Sequence, residues 1–234
     1  MSLRHVLFSI TGALLCFALA LPGRAHADRY ELAIGSAARV MPSNSVDALT
    51  EDEMAVFSMT GAVAIDRIHV PFFSRFAIEG GFDAGWLSGQ SFQTLETSTS
   101  LLHWSLGARL SRELGRRMVV HGRAALGLAH VAVTIDDMFM DGPTLGDSGV
   151  TGTGYLGAAA DFFMVQPGGR RALPFSFGLR FEVGYLAMLP KQLTARPDGS
   201  DHEEGAILIP ETSASLGELD MSALNVRFGL VGRF

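Results

Sequence analysis

The chain alternates apolar and polar residues with a period of two, and the contrast is sharpest in its last eleven residues. Counting back by twos, Phe234, Gly232, Leu230, Phe228, Val226 and Leu224 form one set, and Arg233, Val231, Gly229, Arg227 and Asn225 the other. Successive side chains of a strand point to opposite faces, so this pattern predicts a strand with an apolar face and a charged one. Seven further segments read the same way. They run roughly over 29–41, 54–66, 75–87, 100–111, 119–135, 152–166 and 175–187. In 175–187, Phe175, Phe177, Leu179, Phe181, Val183 and Tyr185 oppose Ser176, Gly178, Arg180, Glu182 and Gly184. In 152–166 small residues blur the contrast between Leu156, Ala158, Ala160, Phe162 and Thr153, Tyr155, Gly157, Asp161.

The connections alternate in length, independently of the periodicity. Short ones fall near 66–74, 112–117 and 166–174, the last containing Pro167-Gly168-Gly169; long ones fall near 42–53, 88–99, 136–151 and 189–220. Eight crossings of about ten residues with short turns at one end and long loops at the other predict an all-β fold, an eight-stranded antiparallel up-and-down transmembrane barrel. Beyond the leader, no stretch approaches the roughly 18 uninterrupted apolar residues of a helical span. Apolar residues dispersed by alternation can face lipid only if the sheet closes, because every backbone polar group must find its partner inside the protein. A soluble barrel would need the charges outside and the apolar faces within, and arginines grouped with Gly and Ser on one face argue against it.

Residues 1–27 carry Arg4, an apolar run from Val6 to Leu21, and Ala25-His26-Ala27, and read as a signal peptide cleaved after Ala27. Leu14-Leu15 before Cys16 lacks the small residue of a lipoprotein site. The expected mature domain is 28–234, without the single cysteine of the chain, so disulfides, thiolate metal sites and cysteine nucleophiles are excluded there. The leader holds two arginines and no acid, so the formal charge of −6 becomes −8 on its removal. That balance argues against nucleic acid as a partner.

The strand alternation and the terminal Phe234 resemble the small eight-stranded Gram-negative outer-membrane proteins, the group of the OmpA transmembrane domain, OmpX, OmpW and the opacity proteins. The resemblance implies a place in the outer membrane, contact with its lipids and lipopolysaccharide, and reading of Phe234 as an assembly signal by the barrel-assembly machinery. Members act as structural or adhesive surface proteins or as narrow passages for small solutes.

Candidate chemistry is sparse. Asp47, Glu51, Asp52, Glu53, Asp136, Asp137, Asp141 and Asp147, with Asp198, Asp201, Glu203, Glu204, Glu211, Glu218 and Asp220, cluster in the long loops. They read as a solvated acidic rim, or as carboxylates sharing divalent cations with lipopolysaccharide phosphates. Arg67, Arg112, Arg116, Arg117, Arg170, Arg171 and Arg233 mark the turn side. Met138-Phe139-Met140 and Ala206-Ile207-Leu208-Ile209 are apolar where loops should be wet, and read as strand extensions, a loop packed over the mouth, or a contact surface for a surface ligand. His202-Glu203-Glu204 reads as loop polarity, adjacent residues being unable to complete a coordination sphere. No cofactor is expected.

A catalytic alternative follows from one assumed register. If the 112–117 turn closes a hairpin, His130 lies on the lipid side opposite Ser98 or Ser100, near Glu96, the set of groups that acyl transfer needs. Outer-membrane lipid A deacylases carry His and Ser two apart on one strand, whereas this chain has His130-Val131-Ala132. The expectation is therefore a non-enzymatic barrel with a structural or surface-contact role. A narrow channel and a lipid A-modifying acyl hydrolase are the alternatives.

Eight strands enclose a bore that side chains fill. The inward sets place Glu79, Asp83, Asp161 and Glu182 with Arg109, Arg123, Arg180 and Arg227 at similar depth. Four acids and four arginines are expected to pair as a plug that closes the lumen and fixes register.

Overall fold

The structure is a computed structural model that describes residues 30–41, 53–65, 70–91, 95–137, 145–165, 175–197 and 214–234. Ten strands run in chain order: β1 Tyr30–Val40, β2 Glu53–Ala64, β3 Arg75–Ser91, β4 Leu95–Glu113, β5 Met118–Asp137, β6 Leu145–Val165, β7 Ser176–Met188, β8 Lys191–Pro197, β9 Ala214–Leu219 and β10 Ala223–Arg233. Strands β1 to β7 pair consecutively and antiparallel, and β10 pairs with both β7 and β1. Eight strands thus close on themselves, the arrangement that the alternation predicts. The seam joins the first strand to the last, from Glu31 opposite Arg233 to Val40 opposite Leu224, and Tyr30 and Phe234 exchange backbone hydrogen bonds of 3.1 and 2.8 Å.

Two expectations are corrected. The connection over 189–220 is not only loop: β8 and β9 form a hairpin within it, and the end of β8 joins β6 through Leu145 opposite Pro197. The connections over 88–99 and 136–151 are also much shorter, because β3, β4, β5 and β6 have 17, 19, 20 and 21 residues. A crossing needs about 9–11 residues. These four strands therefore continue for nearly as far again beyond it, and only 92–94 separate β3 from β4. Segments 88–91, 96–99 and 146–149 carry polar or small residues on both faces, so the ladder continues there without a periodic signature.

The interior has three layers. At the turn end Ala33, Val119, Phe163 and Val231 pack together. Charged side chains fill the middle. At the loop end lies the larger apolar cluster, with Met41, Met54, Leu101, Val131, Val133, Leu186, Met188 and Met221 among its members. Residues 1–27, Asp47, Glu51, Asp52, Arg67, Met138-Phe139-Met140, Asp141, 167–171, Asp198, Asp201, His202-Glu203-Glu204, 206–209 and Glu211 lie outside the described residues.

Candidate functional site

Each crossing strand presents its two sets to different surroundings. On β5, Val120, Ala124, Leu126 and Leu128 face outward while His121 and Arg123 are buried in the bore. On β7 and β10 the outward row contains Phe181, Val183, Tyr185, Phe228 and Leu230, all substantially exposed. Trp86 and Tyr185 stand toward the loop end of this belt, and Phe234 toward the turn end, where its ring lies 6.1 Å from that of Phe175. A predominantly apolar exterior over a charged interior is stable against hydrocarbon, and aromatic residues at its two borders match headgroup depth. Among the described residues no helix is long and apolar enough to cross a membrane; strands do the crossing.

Arg180 on β7 donates two parallel hydrogen bonds to Asp161 on β6, Nε to Oδ1 at 2.7 Å and Nη2 to Oδ2 at 2.8 Å, and also contacts Glu31 on β1. Glu31 is shared with Arg109 and, at 3.2 Å, with Arg233. Glu79 takes Arg109 at 3.1 Å and Arg123 at 2.7 Å. Arg123 reaches Glu182 at 3.3 Å, and Arg227 approaches the same carboxylate at 3.6 Å. Asp83 is held by Arg39 at 2.6 Å, Arg227 at 2.9 Å and His103 Nδ1 at 2.9 Å, and His103 Nε2 lies 3.0 Å from the Thr153 hydroxyl. The network runs unbroken around the bore. Every member is nearly inaccessible to solvent.

Tyr155 shows how the backbone accommodates this crowding. Its hydroxyl donates to Glu182 at 2.6 Å, and the guanidinium carbons of Arg123 and Arg227 lie 4.9 and 5.0 Å from its ring centre. The ring lies across Gly157 and Gly184. A Cβ at Gly157 would stand 2.7 Å from the phenol oxygen, and one at Gly184 closer still. Only glycine leaves room for an aromatic ring laid flat across its own strand and the next.

All eight charged residues that the alternation places in the lumen are there, and each contacts at least one of the others or Glu31. The expected pairing of four with four is corrected: Glu31, Arg39 and Arg233 join, giving five carboxylates and six guanidinium groups among the described residues of this layer. Arg233 does not mark a wet turn-side rim, since it folds inward over the Phe163 ring at 4.4 Å. Glu31, Arg39 and Arg233 stand near strand ends, where water is expected, but an arginine is long enough to reach the layer from one residue above or below it. His103, His121 and Tyr155 sit on the same inward sets, and their signal was that register alone. Phe234 faces outward at the turn-side rim. Among the described residues, no group of three or more His, Cys, Asp or Glu could hold a metal ion.

The assumed register of the acyl-transfer candidate is corrected. The β4–β5 turn, with Gly115 at φ 107°, pairs Glu113 with Val119. Leu102 then stands opposite His130, Ala132 opposite Ser100 and Thr134 opposite Ser98. Neither serine is the direct cross-strand partner of the imidazole.

No family model matches the chain, and no curated protein sequence does. Among solved structures, the attachment invasion locus protein Ail of Yersinia pestis is similar at 12% identity, covering 89% of this chain and all of that one, with a TM-score of 0.46. The outer-membrane protease OmpT of Escherichia coli shares 7% identity over 91% of this chain and 99% of its own, at 0.48. The translocator domain of the autotransporter NalP from Neisseria meningitidis shares 12% identity over 99% and 97%, at 0.39. Likeness at this level transfers no residue role. The chain's own geometry, a closed eight-stranded antiparallel barrel with an apolar exterior and a charged lumen, makes it a β-barrel of the Gram-negative outer membrane.

Proposed function

We propose that the protein is a non-conducting outer-membrane barrel whose task is to hold a rigid structure outside the bilayer for surface contact. The observation that carries this reading is the extension of β3, β4, β5 and β6 beyond the lipid-facing belt. Beyond the level of Trp86, Leu102, His130 and Val150 these strands carry five to seven further residues each, which at about 3.3 Å per residue project roughly 17–23 Å along the strand direction. The extension is packed as a solid body, with Leu101, Val131, Val133 and Ile135 inside and Ser98, Ser100, Thr134 and Asp136 outside. The β8–β9 hairpin docks onto it: Lys191 donates to the Ser148 carbonyl at 2.9 Å, and the Thr194 N–H donates to Asp147 at 3.0 Å.

A plugged bore complements that role. Buried ion pairs fill the middle of the bore, and this supports a closed lumen over the narrow-channel alternative. Lipopolysaccharide meets the belt, and the exposed Phe234 at the seam is the element offered to the assembly machinery. Two measurements test the reading. A cysteine introduced at Thr134 should react with an impermeant maleimide on intact cells, and one at Arg116 only after the outer membrane is opened; the reverse order refutes the topology. The purified protein in planar bilayers should give no steady conductance, and a stable porin-like conductance would put the channel first.

A further inference from the structure

Between β2 and β3, Val70 to Phe73 close a turn in which the Phe73 N–H donates to the Val70 carbonyl at 3.1 Å, with Pro71 in second place and Phe72 in third at φ 70°. The third place of such a turn favours glycine or asparagine, because a bulky side chain is strained there. Here it holds a phenylalanine that is 86% exposed, followed by Phe73 at 41%. Strain kept for an exposed ring points to a contact for that ring.

Phe73 borders a hollow of about 500 Å³ on the outer wall of the barrel. Gly122 of β5 with Ala158 and Ala160 of β6 floor it, and Phe181 and Val183 of β7 bound its far side. A second hollow of about 720 Å³ continues it along the same strands, since Ala124 and Leu156, which line it, lie two residues beyond Gly122 and Ala158. From Ala160 to Gly154 the trough follows six residues, about 20 Å of strand. At the tilt of such barrels this matches the roughly 15 Å of hydrocarbon in one leaflet.

The turn-side mouth of the trough is positive. Arg112, exposed on the outward set of β4, stands directly opposite Val120, which lines the first hollow. Arg116 and Arg117 lie in the same turn, and its one acid, Glu113, belongs to the inward set opposite Val119. An apolar trough ending at an arginine in the headgroup zone is complementary to an acyl chain ending at a phosphate.

We propose that this face binds one anionic glycerophospholipid of the turn-side leaflet, with an acyl chain laid over Gly122, Ala158 and Ala160 and the phosphate held by Arg112. Phe72 and Phe73 flank its glycerol at the border between chain and headgroup. The site requires neither the surface role nor the closed lumen; only the choice of leaflet rests on the topology proposed above.

The test uses the full protein folded in nanodiscs that hold equal parts of phosphatidylglycerol, phosphatidylethanolamine and lipid A, released for native mass spectrometry. One phosphatidylglycerol should stay bound per barrel. Arg112→Gln should lower its retention roughly five- to tenfold, and Arg112→Lys should keep most of it. Ala158→Phe, which fills the trough at a distance from Arg112, should remove the bound lipid. Phe72→Gly relieves the turn, so it should leave the heat-modifiable folded fraction unchanged and still weaken retention. Equal retention of phosphatidylglycerol and phosphatidylethanolamine is annular lipid only and overturns the proposal. So does phosphatidylglycerol retention that survives in folded Arg112→Gln protein, whether or not Ala158→Phe folds. Lipid A retained in place of phosphatidylglycerol overturns it through the choice of leaflet.

Discussion

The two halves of the barrel wall follow one backbone rule with opposite chemistry. In the turn-side half of β5 the inward residues are His121 and Arg123 and the outward ones Val120, Ala124, Leu126 and Leu128. A few residues further along the same strand the inward residues are Ala129, Val131, Val133 and Ile135, and the outward ones His130, Ala132, Thr134 and Asp136. The sign changes near the level of Trp86, Leu102 and His130, which are cross-strand neighbours or diagonal to one another. Neither half alone reveals its solvent. The reversal does, because lipid on one stretch of a continuous strand and water on the next require it.

The comparison can be broken most forcefully in the ionic half. Arg180→Ala strands Asp161 and removes one of three arginines from Glu31, and should lower stability by about 3–5 kcal/mol in a urea titration of the vesicle-folded barrel. Asp161→Asn in the same chain should restore part of the loss, since Glu31 keeps Arg109 and Arg233. No restoration would mean that the pair is not coupled. In the other half Leu101→Ala removes a fully buried side chain from an apolar cluster and should cost about 2–5 kcal/mol, without any effect of salt. Salt-dependent loss there would place charge where the structure has none.

Outward positions sharpen the contrast. Phe181→Arg, near the middle of the belt, should cost on the order of 2–4 kcal/mol in lipid. Thr134→Arg, equally exposed but beyond the belt, should change stability by less than about 0.5 kcal/mol. Equal effects at both sites would erase the boundary drawn here. The smallest internal effect is Tyr155→Phe, which removes one donor from Glu182 while Arg123 remains. A loss of roughly 1.5–3 kcal/mol is expected from the same urea midpoint.

How much of this was legible follows from where the contrast lies. The eight crossings were readable because lipid demands an apolar residue at nearly every second position, and Phe175 to Tyr185 supplies six in a row. The depth of Arg109, Arg123, Arg180 and Arg227 followed from the same count. Their partners did not, because which acid an arginine meets across a bore depends on stagger between strands. Register was also beyond reach for His130, since a slip of two residues in one turn leaves every face unchanged and alters only the neighbours. The extensions of β3, β4 and β6 were hidden for a different reason. Ser88-Gly89-Gln90 and Gly146-Asp147-Ser148 pair as strands without any difference between their faces.

Glu31 carries a final consequence, for assembly. Its three arginines come from β4, β7 and β10, so the first strand is keyed to the fourth, to the seventh and to the last. A growing sheet with an open edge holds this carboxylate apart from Arg233, because the two strands that carry them are the two edges. Satisfaction arrives only when β10 is laid against β1. Adding β7 to β6 already brings Arg180 to Asp161, but the pair of Glu31 with Arg233 forms only at closure, so the seam behaves as a latch and the finished cylinder resists reopening along the joint where it was sealed.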